Sequence, residues 1–421
     1  MNDTREFYIK GSRVYKNESI TLKDIRIFRG LYEVVESFEF DIPVYDGKSL
    51  ILAPSFCDLH THLREPGFPH KETIRSGSLA AARGGFTTVC AMPNLDPVPD
   101  SVEAIAAETE IIKRDAAIEV LPYAAITIGE KGTALSDIEQ LSEICCGFSD
   151  DGKGVQDRSL MYDAMYRVAS AGCFIAAHAE NEDMLNPGGV IHDGEASRKF
   201  GLMGMSSASE YTQIERDLTL VSETGCRYHI CHISALESIR AVRRAKEAGL
   251  SVTCEVTPHH LALSERDIIE DSGRYKMNPP LRGEQDRKEI IDAIADGTID
   301  IIATDHAPHS EAEKSNGFLN SAFGTVGSET AFAVCNTFLV KQGIIGYERL
   351  FYMMCDKPRE ILGRDTADGW VLIDTETERT VHPEEFLSKG RSTPFDGMKL
   401  SGDVMMTSMN GKIVYSDRRF I

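Results

Sequence analysis

The 421-residue sequence lacks any apolar run close to the roughly 20 residues that a membrane-spanning helix needs. It begins MNDTREFYIK, without the hydrophobic stretch and the small-residue cleavage site of a signal peptide. The ten cysteines are scattered and lack zinc-finger spacing. We therefore expect a protein without membrane segments or disulfides, with reduced thiols and a cytoplasmic location.

Basic residues are in the minority, because 45 Lys and Arg stand against 66 Asp and Glu and give a formal net charge of −21. Such a charge repels phosphate backbones, which argues against a nucleic-acid partner. If the substrate is an anion, its site must build a local positive field. The length exceeds the roughly 250–300 residues at which a single core stops growing, so we expect one large domain and a smaller one.

Both ends of the sequence have the pattern of short strands. Residues 1–53 and 367–421 contain brief runs of Ile, Val, Phe and Tyr that Gly, Asn and Asp interrupt. Two β-rich ends around a different middle predict one small β-sandwich domain formed by both termini. The predicted strands include Phe7–Ile9, Ile25–Phe28, Phe38–Ile42, Trp370–Ile373, Val404–Thr407 and Lys412–Tyr415.

The middle, residues 54–366, alternates short apolar runs with stretches of helical period such as Ser101–Arg114 and Glu237–Ala248. Polar residues follow eight of the apolar runs, which predicts an α/β fold of the (β/α)8 TIM-barrel type with its function at the carboxyl ends of the strands. A doubly wound sheet is the competing fold, but no GxGxxG or GxxxxGK[ST] motif supports it. The runs and their polar ends are the run near Phe56 with His60 and His62, Thr87–Met92 with Asn94, Ile118–Ile126 with Thr127, Cys145–Phe148 with Asp150 and Asp151, Cys173–Ala177 with His178, Tyr228–Cys231 with His232, Val252–Val256 with His259, and Ile299–Ala303 with Asp305.

A pair of histidines is the sharpest single feature. His60 and His62 are two residues apart, so on a strand both imidazoles project to the same face and can bind one ion. Imidazole and carboxylate without cysteine fit a catalytic Zn²⁺ site, and four His with two Asp are enough for two ions. The other candidate ligands stand at further strand ends: Asp151, His178, His232 and Asp305.

Several neighbouring residues leave alternatives open. Only one of Asp150 and Asp151 can face the metal, and Asp-Asp-Gly is also good turn chemistry. We expect His259 and His260 to be packing residues. His309 would lie in the loop above the metal, where it could contact the substrate.

Two stretches, Asp58–Gly67 and Ala303–His309, resemble the signatures of dihydroorotases in the amidohydrolase superfamily. The resemblance runs nearly the whole length and is to the long-chain, class I type. It implies zinc-dependent, reversible cyclisation of N-carbamoyl-L-aspartate to L-dihydroorotate and water, the third step of pyrimidine biosynthesis. Further blocks in family order are Ala91–Asn94, Phe148–Gly152, Cys231–Ser234, Glu255–His260, Met277–Arg282 and Phe323–Gly327.

The resemblance also implies roles for individual residues. Asp305 would be catalytic and carry the proton of the attacking hydroxide to the leaving ring nitrogen. The implied ligands of two zinc ions per subunit are His60 and His62 with Asp305 near the first ion, His178 and His232 at the second, and Asp151 as the bridge. The implied substrate contacts are Arg64, Asn94 and His309 at the α-carboxylate, Asn278 at the pyrimidine ring, and Phe323 and Gly324 in the substrate-binding segment. The implied partners are the small-molecule substrate, a second copy in a homodimer and, as a complex, aspartate transcarbamoylase.

Relatives with other substrates are the main alternatives. Hydantoinases and dihydropyrimidinases lack an arginine at the position of Arg64, and allantoinases have asparagine there. Both groups present a lysine where Asp151 stands, so a carboxylated Lys153 is an alternative ligand. A scaffold without activity is a further alternative, although such proteins typically lose metal ligands and all six candidates are present here. The loop His309–Phe323 is either a lid over the barrel mouth or an ordered surface loop.

Overall fold

The strands of this protein fall into two groups, a terminal sheet and a barrel. The computed structural model describes residues 6–364, 367 and 369–418. Within these residues the strands are β1 (Glu6–Lys16), β2 (Ser19–Phe28), β3 (Leu31–Val35), β4 (Val44–Asp46), β5 (Leu50–Pro54), β6 (Phe56–Thr61), β7 (Phe86–Ala91), β8 (Glu119–Pro122), β9 (Ala124–Ala125), β10 (Phe148–Ser149), β11 (Phe174–Ala177), β12 (Ile191–His192), β13 (Gly204–Met205), β14 (Arg227–Ile230), β15 (Val252–Val256), β16 (Ile301–Ile302), β17 (Gly369–Thr380), β18 (Lys399–Met409) and β19 (Lys412–Ser416).

The helices lie mainly between the barrel strands. Among those described, none combines the length and the apolarity that crossing a membrane would require. They are α1 (Ile74–Arg83), α2 (Val102–Asp115), α3 (Ile138–Leu141), α4 (Arg158–Ser170), α5 (Glu195–Phe200), α6 (Ala208–Thr224), α7 (Leu236–Glu247), α8 (Pro258–Ala262), α9 (Glu284–Asp296), α10 (Glu311–Lys314), α11 (Gly317–Asn320), α12 (Ala331–Cys335), α13 (Tyr347–Phe351) and α14 (Lys357–Ile361).

The first and last strands of the chain form one sheet. Its order is β19-β18-β17-β5-β1-β2-β3, with β4 beside β1. The two halves meet where β5 runs antiparallel to β17 and Leu52 lies opposite Leu372. Inward-facing side chains of these strands, among them Ile9, Ile25 and Trp370, pack into a separate apolar core. The two termini therefore build the small β domain that the sequence predicts.

One predicted strand, Phe38–Ile42, is wrong. The chain bends and turns there, and Phe40 is 96% exposed. Asp41 has a φ of +80°, a left-handed conformation that a strand does not contain, and the following Pro43 has no N–H to donate to a ladder. The strand β4 begins only after that proline.

The limits of the two predicted domains fall partly outside the described residues. Residues 365, 366 and 368 flank the predicted junction between 366 and 367, and residues 1–5 and 419–421 belong to the predicted β domain. We propose residues 54–366 as the barrel domain, and residues 1–53 with 367–421 as the β domain.

Eight parallel strands form the barrel. β6, β7 and β8 pair in that order, and the ring continues in the order β9-β10-β11-β14-β15-β16. β8 and β9 are two halves of one barrel strand, with Tyr123 between them. The ring closes where Thr61 bridges His306, whose carbonyl accepts a hydrogen bond of 2.9 Å from the N–H of His62. All eight predicted runs contain strands of this ring, so the prediction of a (β/α)8 barrel is confirmed.

The helices cover the barrel with one apolar face each. In α7, Ile239 and Val242 are buried at helical spacing, whereas Arg240 is exposed. This helix matches the predicted stretch Glu237–Ala248 to within one residue. Each helix returns the chain so that the next strand runs in the same direction, which brings the carboxyl ends of all eight strands to one face.

Candidate active site

Six histidine and aspartate side chains meet at the carboxyl ends of the barrel strands. They lie at or just after the ends of β6, β10, β11, β14 and β16, and each is at most 6% exposed. The barrel thus brings together all six ligand candidates from the sequence. They are His60, His62, Asp151, His178, His232 and Asp305.

His60, His62 and Asp305 form one compact group. Asp305 Oδ1 lies 3.2 Å from His62 Nε2 and 3.5 Å from His60 Nε2. One ligand atom from each of the three residues lies within 4.8 Å of the others. The φ of Asp305 is +45°, a left-handed conformation in which aspartate is enriched over most residues.

Asp151 connects this group to a second pair of histidines. Its Oδ1 lies 3.5 Å from His60 Nε2, 3.7 Å from His178 Nδ1 and 3.9 Å from His232 Nε2. Its Oδ2 lies 3.6 Å from His62 Nε2. The two histidines of the second pair are 3.0 Å apart, Nδ1 of His178 to Nε2 of His232. One carboxylate therefore stands between two pairs of imidazoles.

Two unsatisfied atoms and the donor chemistry indicate that cations fit this cluster. His60 Nε2 and Asp151 Oδ1 are buried, and neither has a hydrogen-bond partner among the described residues. Buried polar atoms are almost always hydrogen-bonded. Two buried atoms without a hydrogen bond at the centre of a cluster therefore indicate that a ligand binds there. Imidazole nitrogens with carboxylate oxygens are the donors of Zn²⁺ and similar divalent ions in catalytic sites.

The residues next to Asp151 face elsewhere. Asp150 accepts hydrogen bonds from the N–H of Thr127, at 3.0 Å, and from its hydroxyl group. Lys153 is exposed, whereas Asp151 is buried. Of the alternatives that the sequence left open, only Asp151 has its carboxylate among the histidines.

Glu255, which the sequence analysis did not single out, holds two of the histidines in place. Its Oε1 lies 2.7 Å from His60 Nδ1 and accepts a 3.2 Å hydrogen bond from the N–H of His232. Burial alone would raise the pKa of Glu255, but His60 and His229 lower it to about 2. The ionised carboxylate directs the other ring nitrogen of His60 toward the cluster, as carboxylates do behind metal-binding histidines. The sequence feature that could have identified Glu255 is its position as the charged residue of the predicted run Val252–Val256.

Asp58 fastens the first barrel strand to the segment that follows the last one. It accepts hydrogen bonds from the N–H of His60 at 3.1 Å, and from the N–H and hydroxyl of Thr304 at 3.1 and 2.6 Å. Burial raises the pKa of Asp58 to about 6, although the bonds from Thr304 oppose this. The contact fixes His60 relative to Asp305, the residue after Thr304.

A buried cation lies beside the cluster. Arg64 Nε donates to Pro308 O at 3.3 Å, and Arg64 Nη2 lies 3.4 Å from His309 Nε2. Burial lowers the pKa of Arg64 to about 10, and burial next to Arg64 lowers that of His309 to about 2. At neutral pH the arginine is therefore charged and the histidine neutral. This is the local positive field that an acidic protein needs in order to bind an anion.

Two asparagines from the sequence prediction lie against the same cluster. Asn94 Nδ2 donates to the carbonyl of Asp151 at 2.7 Å. Asn278 Nδ2 donates to Glu180 Oε1 at 2.9 Å and lies 3.4 Å from His178 Nε2. Glu180, two residues after a candidate ligand, is a further residue that the sequence analysis did not single out.

The predicted residues Phe323 and Gly324 form the wall next to His309. The carbonyl of Phe323 lies 2.8 Å from His309 Nε2. Gly324 has a φ of +133°, and a Cβ atom there would lie 2.6 Å from the carbonyl oxygen of Ala307. The position therefore requires glycine on both counts.

Comparison with known proteins places this site in a family. A family model described as Dihydro-orotase-like matches residues 48–238. The dihydroorotase of Fusobacterium nucleatum subsp. nucleatum is 46% identical over 422 residues, which cover 98% of this chain and 99% of the relative. The chain belongs to the dihydroorotase family. A second dihydroorotase, from Geobacillus sp., is 48% identical over 384 residues, covering 89% of this chain and 90% of the relative.

Solved structures share the fold of this member of the dihydroorotase family. An L-hydantoinase (dihydropyrimidinase) from Arthrobacter aurescens has a TM-score of 0.84 at 22% identity, covering 97% of this chain and 96% of its own. A dihydropyrimidinase from Brevibacillus agri has a TM-score of 0.83 at 21% identity, covering 98% of this chain and 95% of its own. At these identities the likeness concerns the fold, a TIM barrel with a β domain. The dihydroorotase family is generally metal-dependent, in keeping with the His and Asp groups of this chain.

Proposed function

We propose that this enzyme catalyses the reversible, zinc-dependent cyclisation of N-carbamoyl-L-aspartate to L-dihydroorotate and water, the third step of pyrimidine biosynthesis. Full-length identities of 44% and 46% to curated dihydroorotases support a cyclic amide hydrolase of this kind. The observation that carries the proposal is the buried guanidinium of Arg64 beside the His and Asp cluster. A planar guanidinium pairs bidentately with a carboxylate, and dihydroorotate carries one on its ring.

The substrate would lie between the cluster and the wall at Phe323. Arg64 binds its carboxylate, and His309 lies beside the guanidinium and, being neutral, does not repel it. Because the carboxylate is held at one end, the amide bond of the ring is brought to the cluster at the other end. The proposed substrate residues are Arg64, Asn94 and His309 for the carboxylate, and Asn278, Phe323 and Gly324 for the ring.

Two zinc ions per subunit are the proposed cofactor. The two groups of histidines around one central carboxylate support this number, as Asp151 lies within 4 Å of all four imidazoles. When bound, the ions supply a hydroxide at neutral pH and polarise the reacting carbonyl group. The proposed ligands are His60, His62 and Asp305 for one ion, His178 and His232 for the other, and Asp151 for both.

Asp305 is the proposed catalytic residue. Burial would raise the pKa of its carboxyl group, but the neighbouring His60 and the hydrogen bond with His62 lower it well below the usual range, so that it is ionised. In ring opening the carboxylate accepts the proton of the attacking hydroxide and passes it to the ring nitrogen that leaves. In ring closure the same proton travels in the opposite direction.

Cyclic amides without a ring carboxylate are the competing substrates. With dihydrouracil or a hydantoin bound, the buried charge of Arg64 would have no anionic partner in the substrate, which is costly. The exposed position of Lys153 also speaks against the carboxylated lysine of those enzymes as a ligand here. Retention of all six candidate ligands supports an active enzyme over a scaffold.

We further propose a cytoplasmic homodimer that associates with aspartate transcarbamoylase. Ten free thiols support a reducing compartment. Light scattering on the purified protein tests the dimer, and co-purification with the transcarbamoylase of the same organism tests the complex.

An assay with the purified, zinc-loaded protein tests the proposed reaction. We expect hydrolysis of L-dihydroorotate and cyclisation of N-carbamoyl-L-aspartate, with little turnover of allantoin or dihydrouracil. Faster turnover of either control substrate than of dihydroorotate would overturn the assignment. Elemental analysis giving one ion per chain would reduce the two-metal proposal to one.

A further inference from the structure

Lys314 is a buried lysine whose hydrogen-bond acceptors are backbone carbonyl groups. It ends the short helix α10 and is 6% exposed. Its Nζ donates to the carbonyls of Lys276 at 3.0 Å, Ala322 at 2.8 Å and Gly324 at 2.6 Å. An ammonium group has three donors, so these bonds use all of them. A buried lysine is costly unless it is bonded in this way, which indicates a specific role.

The three carbonyls belong to the two segments that carry the proposed ring contacts. Lys276 precedes Asn278 by two residues, and Ala322 and Gly324 flank Phe323 on either side. The two segments also touch directly, because the N–H of Gly324 donates to the carbonyl of Lys276 at 3.0 Å. Lys314 therefore sits at the junction of the segments and binds both.

The side of this backbone that faces away from Lys314 carries the contact to His309. The carbonyls of Ala322 and Gly324 point to the ammonium group, whereas that of Phe323 lies 2.8 Å from the imidazole. The chain bends at Phe323, and Gly324 has a φ of +133°, so the three successive carbonyls do not share one direction. The hydrogen bonds from Lys314 to the carbonyls of Ala322 and Gly324 therefore also fix the direction of the Phe323 carbonyl between them.

The segment His309–Phe323 is folded around the same lysine. The backbone carbonyl of Lys314 accepts a 3.0 Å hydrogen bond from Ser321 Oγ. The N–H of Ala322 donates to the carbonyl of Glu313 at 2.8 Å. Phe318 is fully buried. The segment is therefore an ordered loop, stabilised by these hydrogen bonds and by the buried Phe318 side chain.

We propose that Lys314 is a positioning residue for the substrate, holding the backbone of residues 322–324 against that of Lys276 so that the ring-binding wall and His309 keep their places. This role rests on the proposed function, because the wall is assigned to substrate there. Among the described residues, the hydrogen bonds of the Lys314 side chain go to backbone carbonyls and not to the His and Asp cluster. Its loss would therefore act on substrate binding and leave metal binding intact.

The test compares the zinc-loaded enzyme with Lys314→Met and Lys314→Gln. Methionine keeps the length and removes every donor, whereas glutamine keeps two donors on a shorter side chain. The matched control is Lys246→Met. Lys246 Nζ also donates to a backbone carbonyl, that of Thr298 at 2.7 Å, and pairs with Asp300, both before β16 at the opposite end of the barrel. The readouts are KM and kcat for L-dihydroorotate, zinc content and the thermal midpoint.

We expect both Lys314 variants to raise KM on the order of tenfold, the loss typical of one charged hydrogen bond, with zinc content unchanged and kcat affected less. Lys246→Met should lower the thermal midpoint and leave KM as in the wild type. An unchanged KM in Lys314→Met, or a loss of zinc that accounts for the lost activity, would overturn the role. If Lys314→Met does not fold, the KM of Lys314→Gln decides in the same way. A wild-type enzyme that neither binds nor converts dihydroorotate would instead refute the proposed function itself.

Discussion

His60 and Glu255 form a fully buried pair, with His60 Nδ1 2.7 Å from Glu255 Oε1 and no exposed surface on either side chain. Two residues distant in sequence are thereby joined at the centre of the barrel mouth. The carboxylate fixes which nitrogen of His60 remains available and also holds the backbone of His232. Residues of this type behind a metal ligand set its orientation and basicity.

Replacing Glu255 with glutamine should weaken metal binding by about 10- to 100-fold, the usual cost of losing such a carboxylate. Glutamine has the same shape, but it carries no charge to favour the right ring orientation of His60. The measurement is the zinc retained during dialysis against increasing chelator concentrations. Glu119→Gln is the control, because Glu119 pairs with Arg364 at the start of β8, away from the cluster. Equal zinc retention by Glu255→Gln and the wild type would contradict this prediction.

Replacing Asp305 with asparagine should lower turnover by at least about 10²- to 10⁴-fold, the usual contribution of a general acid–base group, and leave dihydroorotate binding within a few-fold. Asparagine has nearly the same shape and tolerates the φ of +45° at this position. Turnover, ligand binding by calorimetry and zinc content are measured on one preparation, because Asp305 also lies 3.2 Å from His62.

The control for this experiment is Asp150→Asn, a buried carboxylate that is bonded to Thr127 and does not face the histidines. It should keep most of the activity. Undiminished turnover in Asp305→Asn would remove Asp305 as the proton carrier.

The barrel and most of the cluster were predictable because both follow from a simple repeat. Each apolar run ends in a polar residue, and parallel strands bring such ends together. His178 and His232 could be placed at one mouth on this ground alone. The prediction failed at Phe38–Ile42, a short alternating pattern that pairs with no strand of the part of the chain that the structure describes.

Residues that act from behind the cluster were harder to find. Glu255 and Asp58 lie inside strands and look like isolated charges in apolar runs. Their hydrogen-bond partners, His60 and Thr304, lie on other strands or segments of the barrel and can be identified only from the folded structure. Asp150 and Asp151 both follow the two-residue strand β10. Which of the two side chains faces the barrel mouth depends on the path of the chain after that strand. The role of Lys314 could not be inferred from the sequence, because its acceptors are backbone carbonyl groups, which every residue carries.

Replacing Arg64 with methionine should raise the KM for dihydroorotate by about 10- to 100-fold, as expected for a lost charge-assisted hydrogen bond of roughly 1.5–3 kcal/mol. The KM for dihydrouracil, which lacks the ring carboxylate, should change much less. Both constants are measured on the same zinc-loaded preparation. An equal rise in KM for the two substrates would show that Arg64 supports the site as a whole and does not recognise the ring carboxylate.

The acid stability of the fold should depend on His192. Burial, with the charge of Arg282, lowers the pKa of His192 from its ordinary 6.5 to about 4. Between these two values the unfolded chain binds a proton that the folded protein does not, so this group makes the folded state less stable as the pH falls from about 6.5 to about 4.

His192→Asn removes the titrating group, and its thermal midpoint should therefore fall less than that of the wild type between pH 7 and pH 4.5, about the limits of this window. The comparison uses chelator-treated protein, because protonation of the cluster histidines would otherwise release metal in the same range. The control is the exposed His382, whose replacement by asparagine should leave the pH dependence of the wild type intact. Parallel curves for His192→Asn and the wild type would mean that burial of this imidazole does not contribute to acid unfolding.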